Sequence, residues 1–162
     1  MIKKLIGITI ALSILTISCG KKDTPAIDTG GFNLKSIDGE QINLSDYKGR
    51  VVIIDFFATW CPPCKREVPH LVSMYNENKD RGLIILGISL EDETTLKNFK
   101  DEFHVAYQIL LGTQEVFEKY GVQPIPHTLF IDKKGKTRKV QVGFAPELTP
   151  EFESLVQTLL KE

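Results

Sequence analysis

The chain of 162 residues holds three cysteines, three histidines, two methionines and one tryptophan. That scarcity argues against a structural zinc site. Such a site takes four ligands, usually two cysteine pairs or one pair with two closely spaced histidines. Here the histidines stand far apart, at 70, 104 and 127. The net charge is −1 with both signs interspersed, so there is no basic footprint for nucleic acid. The apolar run at residues 5–17 is too short to cross a bilayer, which takes about 20 residues. No internal repeat is visible, and nothing in the pattern calls for a metal or a cofactor. Length and composition suit one globular domain.

What the N-terminus does have is a cationic MIKK followed by that short apolar run. These are the n-region and h-region of an export signal. The run ends in LTISCG, which resembles the bacterial lipobox, although Thr16 stands where leucine is usual. The resemblance implies that Cys19 is lipidated and becomes the mature N-terminus. It also disposes of an odd third thiol in an exported protein. The acyl chains of such a terminus are enough for stable anchoring. The competing reading is a plain secretory signal that happens to end near a cysteine.

The expected organisation is a signal at 1–18, a tether at 19–31 and a domain at 32–162. Residues 20–31, GKKDTPAIDTGG, are polar with glycine and proline, and a dozen such residues reach about 20 Å. In the domain, Asp38-Gly39 predicts a hairpin within 32–44. Residues 51–57, VVIIDFF, form an apolar run broken only by Asp55, which predicts a central strand buried on both faces. A helix follows to about residue 78, then a buried strand at 83–90, a helix at 93–103, a strand at 107–111 and a helix at 114–120. A hairpin around Lys133-Lys134-Gly135 and an amphipathic helix at 149–160 close the chain. This order predicts an α/β fold with a mixed central sheet flanked by helices.

The pair in WCPPCK, residues 60–65, has three readings: a metal clip, a structural disulfide or a redox pair. The ligand count disfavours the first. The second gains little, because a disulfide stabilises mainly by closing a long loop. A redox pair remains. At a helix start, Cys61 would be the exposed thiol, favoured as thiolate by free N–H groups and the helix dipole. Cys64, a turn further in, would be the buried resolving thiol. Proline disfavours helical geometry in the residue before it, so the helix is expected to begin at Pro63. Neither Pro62 nor Pro63 offers an N–H, which leaves those of Cys64 and Lys65. The Cys61 pKa is therefore expected below the free value of about 8.5, though not at the bottom of its range.

VVIIDFFATWCPPCKREVP resembles the active site of thioredoxin-like thiol–disulfide oxidoreductases of the TlpA/ResA type. The likeness runs from about residue 32 to the C-terminus. It implies a thioredoxin fold with an N-terminal hairpin and an added helix–strand unit near 92–112. It implies that Asp55 is a buried acid handling the resolving cysteine's proton, that Pro69 sits in the active-site helix, and that Trp60 and Glu67 flank the pair. VQPIPHTLFID resembles the cis-proline loop, making Pro126 the cis residue and Ile125, Pro126 and His127 the substrate groove. His127 replaces a usual threonine and would place a titratable ring beside that groove. Plainer readings are a strand-end acid for Asp55, a solvated charge for Glu67 and simple packing for Trp60.

The family resemblance thus implies a monomeric, lipid-anchored envelope enzyme that reduces disulfides of exported proteins, for example in cytochrome c maturation. A membrane thiol-relay donor would recharge it. A thiol peroxidase of the same fold is the first alternative. That site resembles a threonine three residues before a lone cysteine, whereas this chain has Ala58 and Cys64. A non-catalytic binding lipoprotein is the second.

Overall fold

The computed structural model describes residues 31–162; the predicted signal, Cys19 and nearly all of the tether lie outside the described residues. A small antiparallel hairpin opens the domain, β1 (Asn33–Lys35) with β2 (Gln41–Asn43), turning at Gly39 with φ of 94°. The central strand β3 (Val51–Phe56) leads into α1 (Pro62–Asn78). Then come β4 (Leu83–Ser89), α2 (Glu93–Glu102), β5 (Gln108–Leu111) and α3 (Gln114–Lys119). The hairpin of β6 (His127–Ile131) and β7 (Thr137–Val142) precedes α4 (Thr149–Lys161).

The main sheet has the order β5-β4-β3-β6-β7. β3 runs parallel to β4 and antiparallel to β6, so it is paired on both edges. All six of its residues are buried, as its apolar run predicts. The mixed sheet and flanking helices are those expected of a thioredoxin-type fold. The added unit, α2 and β5, supplies one edge of the sheet.

Side chains alternate along a strand, and that alternation divides the core into two layers. Val51, Ile53 and Phe57 join α1 and α4 residues such as Val68, Leu71, Phe152 and Val156. Val52, Ile54 and Phe56 face the opposite layer with Val116, Phe117 and Tyr120 around α3 and Phe32, Leu34 and Ile42 of the hairpin. The same alternation sends Asp55 toward α1. On β6, Thr128 and Phe130 face that layer, while His127, Leu129 and Ile131 face the other.

Gly112, just past β5, is a steric requirement. Its N–H donates to the Ser89 carbonyl at 2.7 Å. A Cβ there would lie 2.9 Å from both Ile88 Cγ2 and Ser89 O, and 3.0 Å from the Phe117 ring. Gly112→Ala should therefore cost about 1–3 kcal/mol, the usual penalty of overpacking. Urea denaturation checks this; an alanine variant of parental stability would mean that Ser89 and Phe117 can yield.

Candidate active site

The strand-to-helix junction positions the cysteines. Cys61 is the N-cap of α1, with extended backbone at φ −84° and ψ 112°. Its N–H donates to the Ala58 carbonyl at 3.1 Å, and its own carbonyl accepts from Lys65 N–H at 3.1 Å. Cys61 and Cys64 form a disulfide with Cα atoms 5.3 Å apart, inside the range such bonds require. Cys64 N–H donates to Cys61 Sγ at 3.3 Å. Across the junction the Ile125–Pro126 peptide is cis, and the Ile125 carbonyl oxygen lies 3.8 Å from Cys61 Sγ.

Two carboxyl groups lie in the same layer as the disulfide. Asp55 and Glu67 are both fully buried. Glu67 Oε1 accepts from the Thr128 hydroxyl at 2.8 Å; among the described residues, Glu67 Oε2 and both Asp55 oxygens have no hydrogen-bond partner. Burial disfavours the charged form. It holds Asp55 well above the ordinary carboxylate value, and the neighbouring Glu67 charge adds to this. Burial also pushes Glu67 up, to about 7, against the opposing pull of the Thr128 hydrogen bond. The phenol of buried Tyr107 is pushed up by desolvation and then by both acids, so it stays neutral.

The AhpC/TSA family profile matches residues 24–140. The chain is 35% identical over 122 residues to the thiol-disulfide oxidoreductase ResA of Bacillus subtilis, covering 74% of this chain and 68% of that one. Against ResA of Halalkalibacterium halodurans the figures are 33% over 129 residues, with 78% and 73% covered. A solved thiol:disulfide interchange protein of the thioredoxin family from Chlorobium tepidum matches at a TM-score of 0.73 and 28% identity, covering 80% of this chain and 93% of that one. The chain belongs to the AhpC/TSA family, as a ResA-type thiol–disulfide oxidoreductase.

Several expectations about this oxidoreductase need correction. α1 starts at Pro62 rather than Pro63. Cys61 is not an exposed thiol: in the disulfide form it is buried, nearly as deeply as Cys64. Among the described residues only the Cys64 N–H reaches its sulfur, because the Lys65 N–H is spent on the Cys61 carbonyl. Glu67 is not a solvated helix charge, since it points inward from the same helix face as Cys64. The plainer reading of Asp55 as a strand-end acid needs polar partners, and its carboxyl has no hydrogen bond among the described residues. Trp60 does not serve packing alone, being 71% exposed.

His127 is also misplaced by the sequence reading. The residue is 6% exposed, and its ring lies edge-on to Phe56 in the α3 layer, with neither nitrogen partnered among the described residues. Desolvation lowers its pKa, so the imidazole is neutral. The parity of β6 decides this, because His127 and Thr128 must face opposite layers. A groove of about 110 Å³ does open beside the cysteines, between Trp60, Leu90, Ile125 and Phe117. Glu91 braces it by accepting from Thr59 N–H at 2.7 Å and from the Thr59 hydroxyl at 2.6 Å. Sequence reasoning missed Thr128, Tyr107 and the Thr59–Glu91 contact. Only Thr128 left a signal, as a polar residue in a buried strand.

The acids set a direction for stability against pH. Glu67 is protonated in the fold over a range where the unfolded chain has already lost that proton, from about 4.5 to about 7. The folded state then binds more protons, so stability falls as pH rises through that window. For Glu67 the loss is on the order of 3 kcal/mol, and Asp55 adds a loss of the same sign. Asp55→Asn removes an acid that makes no hydrogen bond. It should leave the oxidised protein at least as stable as the parent at pH 5, already above the unfolded aspartate value of 3.8, and more stable still at pH 8. Urea melts at the two pH values check this; a variant several kcal/mol weaker at both would mean that the acid stabilises the fold.

Proposed function

We propose that this oxidoreductase works as a reductant of disulfides in exported proteins, tethered through a lipid on Cys19 and facing the extracytoplasmic space. The observation that supports the reducing direction is the poverty of donors at Cys61. A strongly stabilised thiolate favours the reduced pair and makes it an oxidant. Here Pro62 and Pro63 supply no N–H, one donor among the described residues reaches the sulfur, and the layer that holds the disulfide also buries the carboxyl groups of Asp55 and Glu67. Little favours the reduced form, so the pair gives its electrons away.

The reaction balances as two exchanges. Cys61 thiolate attacks one sulfur of the substrate disulfide, and the other substrate sulfur leaves as a thiolate. Cys64 then loses its proton to the buried acid pair and attacks Cys61. That step expels the second substrate thiolate and forms the Cys61–Cys64 disulfide. A dithiol donor of the membrane thiol-relay class returns two electrons. The groove beside Ile125 and Pro126 holds the substrate chain, and a disulfide among apocytochrome c thiols is one fitting substrate. Ala58 and the paired Cys64 speak against a peroxidase. A monomer suffices for every step.

A redox titration of the pair against glutathione should give a potential near −250 mV or lower; a value near −120 mV would overturn the reducing direction. Cys61→Ser should abolish reduction of insulin disulfides, while Cys64→Ser should accumulate mixed disulfides with substrate. Wild-type turnover by Cys64→Ser would rule out the two-cysteine mechanism. For the tether, Cys19→Ala should yield a soluble product or an unprocessed precursor. An unmodified mature N-terminus at another residue, seen by mass spectrometry, would exclude the lipid anchor.

A further inference from the structure

Two carboxyl groups in one dry layer cannot both ionise cheaply, so the pair takes its first negative charge well before its second. Which acid holds that first charge depends on the donors that reach it. The Thr128 hydroxyl donates to Glu67 Oε1 at 2.8 Å. Asp55 stands directly opposite Thr128 in the β3–β6 register yet receives nothing on either oxygen. On its other side Asp55 is paired with Gly87 of β4, which has no side chain to offer.

We infer that Thr128 is a positioning residue that places the single charge of the Asp55–Glu67 pair on Glu67 and leaves Asp55 as the protonated member. A hydroxyl that donates to a carboxylate favours its charged form. Among the described residues, no other donor or cation changes the outcome. α1 presents Cys61, Cys64 and apolar groups, and α4 presents Phe152, Val156 and Leu159. The segment before β5 presents Tyr107, a neutral phenol. None of the described lysines or arginines is buried, and His127 belongs to the opposite layer. The directions of the pKa shifts agree: Thr128 pulls Glu67 back toward neutrality, while Asp55 has no such relief. The proton role that family resemblance gives to Asp55 alone is therefore divided, and Glu67 is the member ionised near neutral pH. Glu67 stands three residues beyond Cys64 on one helix face, which suits it to take that thiol's proton.

The inference concerns the ionisation of the acids, so it is tested on the oxidised protein without substrate or donor, apart from any question of redox direction. Carboxyl-carbon NMR of wild type, Thr128→Val and Thr128→Ser follows both side chains against pH. In wild type, Glu67 should ionise first, near 7, with Asp55 later. Thr128→Val keeps the shape and removes the donor, so the Glu67 proton affinity should rise roughly tenfold or more, given the worth of a hydrogen bond to a charged group. Thr128→Ser should restore the wild-type order. Asp55 ionising first in wild type would overturn the inference. So would a folded Thr128→Val protein with unchanged midpoints. Should the valine variant fail to fold, the wild-type order alone decides.

Discussion

The site depends on the double pairing of β3. A strand held by β4 on one edge and β6 on the other cannot shift its register without turning every side chain to the wrong layer. That lock fixes Asp55 toward α1, sets Thr128 opposite it, and aims the strand's end at the helix cap where Cys61 sits. The cis loop at Pro126 arrives beside Cys61 for the same reason, because β6 begins at the next residue. One pairing thus brings together the disulfide, the buried acids and the loop across from them.

Placing acids in that layer has a thermodynamic consequence. An ionised carboxylate without partners in an apolar layer is costly enough that the group holds its proton instead. The fold tolerates Asp55 and Glu67 because at acidic pH both are neutral. At higher pH it carries a penalty that an apolar pair would avoid. Buried ionisable groups of this kind concentrate where a protein does chemistry. Here the penalty appears in the layer that holds the redox pair, and among the described residues its one relief is the Thr128 hydroxyl.

Much of this was legible in the sequence. VVIIDFF announced a buried central strand, and the spacing in WCPPCK placed two sulfurs at a helix start. Family resemblance supplied the cis bond before Pro126, which composition could not. What was not legible depended on register and on which layer a residue faces. His127 follows the cis proline directly, and the resemblance of VQPIPHTLFID to the cis-proline loop implied a place beside the groove. Strand alternation instead turns its ring into the α3 layer against Phe56. Glu67, a charged residue within a polar helical stretch, reads as solvated until α1 is laid against the sheet. The donor count at Cys61 likewise depended on where the Lys65 N–H points, which spacing does not tell.

Electron transfer and proton transfer are linked at this site through shared burial. With few donors at Cys61, the thiolate gains little from its surroundings. With acids in the same layer, any ionised carboxylate makes a second negative charge there less favourable. Losing a proton from Cys64 to a carboxylate moves the charge within the layer without adding to it. That exchange is easiest when one acid of the pair is already ionised and the other is not. A layer with no acids would force the proton out to solvent through a closed core. A layer with two ionised acids would repel the thiolate. The arrangement found, one hydroxyl on one of two acids, keeps the pair between those extremes near neutral pH.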